Sequence, residues 1–307
     1  MSNAILEKIA IEVDEPQAIT KSLRSKPLQS VAEVYSKNVN DILGMLALPH
    51  LFVSVGIRDA QRMQFYLQAV AETKILLRSD ADKAKVQAYA DDLERKARED
   101  ENSPQNPDKE THRQIAKLLE HKQVNEAVRS LLFAGATFGW AAFESAAKDV
   151  WVAAVNARPI LLAQPALSKI SDEVASEGLS SKYISVGLLA RNGFDLRDKL
   201  GLLLSDKFDF TGVSGIRIAY TSAFRKNSAF DTLFNEQNLA TLEATRHLIV
   251  HRAGFVDEDY KRRTKDSIPL GQQLHLDGGR VCELVNSSIT VCCKMIRQVD
   301  DWLEKNQ

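Results

Sequence analysis

The chain has 307 residues, of which 44% are hydrophobic and 26% charged. This is the balance of a globular protein with a packed core, and it excludes collagen-like, disulfide-scaffold and wholly disordered classes. Its 40 basic and 41 acidic side chains leave a formal net charge of −1, and the parity holds on both sides of residue 123, with 18 basic and 19 acidic groups up to it and 22 of each beyond. Any site for a polyanion has to be local.

Met1 to Pro27 reads as irregular, with Pro16 and Pro27 as breakers, and Val31 to Leu48 as a helix ended by Pro49. Ile57 to about Ala97 follows as a charge-rich helical pattern broken near Ser79-Asp80, either of which can cap a second helix, so this part reads as a helical hairpin. Glu99 to Glu110 holds two prolines, many acids and no apolar residue, and is taken as a linker. The expected division is a helical region of unassigned role over 1–123 and a second helical domain over 124–307. A loop inside one continuous domain is the other reading of that segment.

Val124 to Asn156 is apolar on nearly every side, which marks a helix at the centre of a bundle. Pro159 and Pro165 end it, and short helical pieces follow with loops around Gly193 and Thr211 to Ser214. Glu236 to Ala253 is the next clear helix, with Gly254 as a left-handed C-terminal cap. A last helix keeps Val281, Val285, Ile289, Cys292, Ile296, Val299 and Leu303 on one stripe, which makes Cys292 a core residue. Glycine is scarce, strand-like alternation is nearly absent and no repeat is visible, so the fold class is all-α, a helical bundle preceded by the hairpin.

Cys282, Cys292 and Cys293 make neither a disulfide framework nor a zinc quartet. The apolar run Leu131 to Phe143 is too short to span a bilayer before Glu144, and the N-terminus has no secretory h-region. A soluble cytoplasmic protein without membrane association is expected. Phosphate-binding glycine loops, His-Glu-x-x-His, nucleophile elbows and carboxylate clusters with metal spacing are not found, so neither a cofactor nor a metal is expected.

The chemistry-bearing residues lie in the helix ending at Ala253. Leu239, Leu242, Ile249, Val250 and Ala253 form an apolar stripe with Arg246 in its middle, where an arginine is paired or lines an interface. His251 sits five residues further on, about 140° round the helix, so one chain alone does not aim both groups at one point. A twofold axis beside this helix would let two copies share a cleft. Glu144, the isolated acid of an apolar helix, is the expected hydrogen-bonded partner of Arg246, with a simple pair to Lys148 as the alternative. His251 can instead be a helix-terminal histidine favoured by the macrodipole. His50, His112, His121 and His275 stand apart, as ordinary surface or loop residues. Arg252, Lys261, Arg262 and Arg263 could track a nucleic-acid backbone, or form a solvated loop held by Asp257, Glu258 and Asp259. Over Arg246 to Lys265 the segment carries six basic and three acidic residues.

The run Arg246-His247-Leu248-Ile249-Val250-His251-Arg252-Ala253-Gly254-Phe255-Val256-Asp257-Glu258-Asp259-Tyr260 resembles the signature of the HEPN superfamily, particularly its ribonuclease-type branch. There Arg, a polar residue, a few others and His precede a glycine turn and a Val-Asp-x-x-Tyr-like tail. The helix with Phe143, Glu144 and Asp149 is similar to that family's first core helix, and the resemblance covers about three fifths of the chain, from Val124 to Lys305. His247 stands where the family often has Asn or Asp. The resemblance implies a metal-independent endoribonuclease acting on RNA as a homodimer, of the kind found as toxins or anti-phage effectors, with an antitoxin or defence protein as a further partner. Arg246 would hold the phosphate, His251 would move protons, and His247 would assist or contact phosphate. The alternative is a catalytically silent all-helical dimerisation or nucleotide-binding module.

Overall fold

A computed structural model describes residues 14–100, 103–176, 190, 193–225 and 228–306. These residues are all-α. Beside the helices they hold an isolated antiparallel bridge, Phe255 to Gln273. The helices are α1 (Asp14–Ser22), α2 (Lys26–Thr73), α3 (Asp80–Glu99), α4 (Pro107–Glu120), α5 (Lys122–Ala157), α6 (Pro159–Ser176), α7 (Leu200–Ser205), α8 (Val213–Ala223), α9 (Ser228–Phe234), α10 (Gln237–Arg252), α11 (Glu258–Thr264) and α12 (Gly278–Lys305).

Two compact units divide at Gly44 and at Leu132, within α2 and within α5. The first, Gly44–Leu131, holds the helical hairpin: Phe65 and Ala69 of α2 pack with Val86, Ala90 and Ala97 of α3. Ser79 closes a capping box with Asp82 at the start of α3. The acidic, proline-containing stretch after Glu99 is a connection inside this unit, because Asn106 caps α4 through Asp108 and Lys109 and Pro107 takes the first helical position, where a missing donor costs nothing.

Three expectations are corrected by these helices. The segment after Val13 is helical rather than irregular, with Pro16 in the first turn of α1 and Pro27 in the first turn of α2. Residues 1–13 lie outside the described residues. Pro49 does not end its helix: it removes one backbone donor, and α2 continues through it to Thr73. Pro165 is likewise interior to α6. Leu48, Leu51, Phe52 and Val55 remain exposed on α2, and by length and composition this helix is apolar enough to cross a membrane.

The second unit joins the described residues from Asp14 to Leu43 with those from Leu132 onward. Its centre is α5, where Trp140, Phe143, Val150 and Trp151 are fully buried. Gly139 lets α12 close in, since a Cβ there would stand 2.8 Å from Val285 Cγ2. Helix α8 is bonded to α5 twice: the Trp151 indole donates to the Ala219 carbonyl at 3.0 Å and the Tyr220 hydroxyl to the Ala147 carbonyl at 2.8 Å. Both bonds satisfy polar atoms that burial would otherwise strand. Phe224, Phe230, Phe234 and Trp302 complete an aromatic cluster around Tyr220.

The N-terminal segment belongs to this unit because of Asp300. Buried on α12, its carboxylate accepts the backbone N–H groups of Arg24 and Ser25 at 3.1 and 2.9 Å, just ahead of α2, where a helix leaves donors unpaired. Tyr35 lies fully buried further along α2. Asp300→Ala should strand both donors and lower stability by ~2–3 kcal/mol, with Asp300→Asn losing less because one acceptor oxygen remains. Denaturant unfolding of the two variants checks this ordering.

Candidate functional site

Helix α10 starts at a Glu236 cap and ends in a left-handed turn, with Ala253 at φ 51° and Gly254 at φ 81°. The Ala253 and Gly254 N–H groups both reach back to the Leu248 carbonyl, the latter at 3.1 Å, and satisfy an acceptor left open at the helix end. Two constraints require glycine there, the positive φ and the approach of Phe133, whose Cε2 would lie 2.7 Å from a Cβ. The following chain is pinned to residues 271–274: Val256 N–H donates to the Gln272 carbonyl, Gly271 N–H to the Val256 carbonyl and Leu274 N–H to the Gly254 carbonyl, at 2.7–2.9 Å. Asp257 then caps α11 through the Tyr260 N–H at 2.9 Å, and the Tyr260 ring is buried. The Gly254 to Tyr260 tail therefore turns the chain and fixes how α10 ends.

The buried face of α10 is Leu239, Thr241, Leu242, Ala244, Thr245 and Leu248. It is rotated from the sequence stripe, because Val250 and Ala253 are exposed and two threonines go inside. The Thr241 hydroxyl can be buried since it donates to the Gln237 carbonyl one turn back, at 2.9 Å. Arg246 thus stands at the edge of the buried face, half-buried, while His247 and His251 are exposed. The two imidazoles, four residues apart, meet with ring centroids at 4.6 Å and planes at 44°.

The expected hydrogen bond from Arg246 to Glu144 is not formed. Glu144 is half-buried, and its Oε2 accepts the indole N–H of Trp140, one turn back on α5, at 2.9 Å. The Glu144 to Lys148 alternative fails as well, since Lys148 faces Asp206 at 3.6 Å. Arg246 acts on Glu144 through charge alone. Burial pushes the Glu144 carboxyl above the usual range, the Trp140 bond and Arg246 pull it down, and Asp209 and Glu243 push it up again.

Glu243 went unread in the sequence. It pairs with Arg263 at 2.7 Å, accepts the Val213 N–H at 3.3 Å and presses against Gly212, so it caps α8 from α10 while anchoring α11. Nothing in a single glutamate on an amphipathic helix announces such a role. Of the basic residues read as an RNA track, Arg263 is therefore held in a half-buried pair, and it also lies 3.8 Å from Asp259. Arg262 pairs with Asp259 and Arg252 with Asp257 at 3.5 Å. Lys261 is half-buried and makes no ion pair among the described residues. The segment is therefore the helix α11 rather than the solvated loop expected as the alternative, with Arg252 and Arg262 in exposed pairs with Asp257 and Asp259 that contribute little to stability.

His50 and His112, read as isolated, are neighbours in the first unit with ring centroids 6.2 Å apart. His121 follows α4 as its C-terminal cap and His275 is exposed. Among the described residues no group of three or more His, Cys, Asp or Glu is placed to hold a metal ion. No family model, curated protein or solved structure matches the chain.

The Glu144 geometry gives a pH dependence with a definite sign. A carboxyl raised by folding favours the protonated native state, so its contribution to stability is full at low pH and is lost as pH rises from the ordinary carboxylate range to the raised native value. Glu144→Gln keeps an oxygen for Trp140 and cannot ionise. Its melting temperature relative to the parent should climb as pH passes through and just above the carboxylate range, then level off.

Proposed function

We propose that the chain is a metal-independent endoribonuclease of HEPN type, working as a homodimer with Arg246 and His251 as its catalytic residues. The observation that carries this reading is the C-terminal half of α10, where a half-buried guanidinium and two exposed imidazoles are presented together just before a rigidly fixed turn. An imidazole exchanges protons near neutrality, as this chemistry needs. His251 takes the proton of the 2′-hydroxyl as its oxygen bonds to phosphorus. The bond to the 5′-oxygen breaks, and that oxygen leaves protonated, from His247 or from water. Arg246 binds the phosphate oxygens and offsets the charge that develops on them. Glu144 touches no substrate in this scheme and acts as a positioning residue, its charge attracting the Arg246 guanidinium. Arg252 and Lys261 flank the site as the cations nearest an RNA backbone in sequence, with Arg262 more exposed and Arg263 committed to Glu243.

The exposure of His247 and His251 favours a second copy over a self-contained pocket, because both rings face water unless another surface covers them. Val250 and Phe255, beside the site in sequence, are exposed apolar residues of the sort an isologous contact would cover. The silent dimerisation module remains the second reading, supported by the same surface if the polar groups only stabilise the contact.

Incubation of the purified chain with RNA and excess chelator separates the two. Cleavage should proceed and leave 2′,3′-cyclic phosphate and 5′-hydroxyl ends, and His251→Ala or Arg246→Ala should each slow it by about 10²-fold or more with folding intact. Intact RNA under these conditions, or cleavage that survives both substitutions, contradicts the ribonuclease reading.

A further inference from the structure

We propose that His247 and His251 form a chelating site for a transition-metal ion of the zinc, nickel or copper class, and that its occupancy switches the ribonuclease site off. The second half of this statement rests on the ribonuclease reading. The first half does not.

Two imidazoles bound to one ion at about 2.0–2.1 Å, with a ligand angle of about 90–110°, place their ring centroids roughly 4.5–5 Å apart. His247 and His251 stand at 4.6 Å with planes tilted by 44°, so little rearrangement separates them from that geometry. Their spacing of four residues holds them on one helical face, and the helix supplies the rigidity that a chelate requires. Both rings are exposed, so an ion can reach them without opening the fold and can complete its coordination with water. His50 and His112, at 6.2 Å, are wider than that ligand angle allows. Neutral imidazole suits zinc, copper and nickel and does not suit magnesium or calcium, which take oxygen ligands. The nearby Arg246 adds no ligand and opposes a cation, so binding is reversible rather than structural.

The consequence for chemistry is direct. A metal on the His251 ring occupies the lone pair that would accept the 2′-hydroxyl proton, and blocks the approach of the phosphate to Arg246. The ion inhibits, which is the opposite of what a metal-dependent nuclease would show.

The test uses the full chain without a polyhistidine tag, stripped with chelator, and zinc or nickel alone as the probe in calorimetric titration. One ion should bind per chain and raise the melting temperature, because an ion that binds only the folded helix stabilises it. His247→Ala and His251→Ala should each weaken binding about 100-fold, the loss expected when a bidentate chelate becomes a single contact, while His50→Ala and His275→Ala bind as the parent does. Circular dichroism of the two exposed-site variants should match that of the parent. No binding, or binding that both site variants retain, overturns the metal site. If the ion binds through these two histidines and RNA cleavage slows and recovers on adding chelator, the switch is supported; if it binds there and cleavage is unaffected, the switch is overturned. If it binds there and the stripped chain cleaves no RNA, the metal site stands and the ribonuclease reading fails.

Discussion

Helix α5 is apolar on nearly every side from Leu131 to Val155, and water does not tolerate a helix of that kind. Its neighbours have to enclose it. Trp140, Phe143 and Trp151 are buried completely, and Trp151 reaches beyond its own helix. Trp151 and the Ala147 carbonyl tie α8 in place, Gly139 admits α12, and Trp140 orients the one acid the helix holds at its buried edge, Glu144. The candidate site inherits this order: α10 is packed along α12 and α11, and its end is set by the contact of Gly254 with Phe133, again on α5.

This arrangement separates residues that shape the site from residues that can act in it. Gly254, Asp257 and Tyr260 turn the chain and dock α11, and Glu243 with Arg263 clamps α8 and α11 onto α10. Arg246, His247 and His251 project from the frame so produced. A signature that spans all of them therefore mixes two kinds of requirement, one for a helix ending at a fixed angle and one for a cation and an imidazole at its surface.

Much of the fold was legible in the sequence because it follows from periodicity. The all-round apolarity of α5, the stripe on α12 and the Ser79 cap are local patterns with local causes, and so is the hairpin of α2 and α3. What escaped depends on tertiary partners. Pro49 reads as a stop, and only the helix continuing on both sides of it shows otherwise. Asp300 carries no local signal in the sequence and is a buried cap for a chain segment 275 residues away. The expected pairing of Glu144 with Arg246 does not form because neither group is a lone buried charge: Trp140 donates to the carboxylate and Arg246 reaches the edge of the fold. The meeting of His247 with His251 follows from their spacing of four, which puts both rings on one helical face.

In the proposed ribonuclease, phosphate-binding and proton-transferring groups of two copies act in one cleft without a metal. Mixing Arg246→Ala and His251→Ala proteins, each inactive alone, tests this most directly in the presence of chelator. A mixed dimer then holds one cleft with both residues and one with neither, so RNA cleavage should return to a part of the parent rate. Dimers that form and exchange subunits yet stay inactive would contradict the shared cleft.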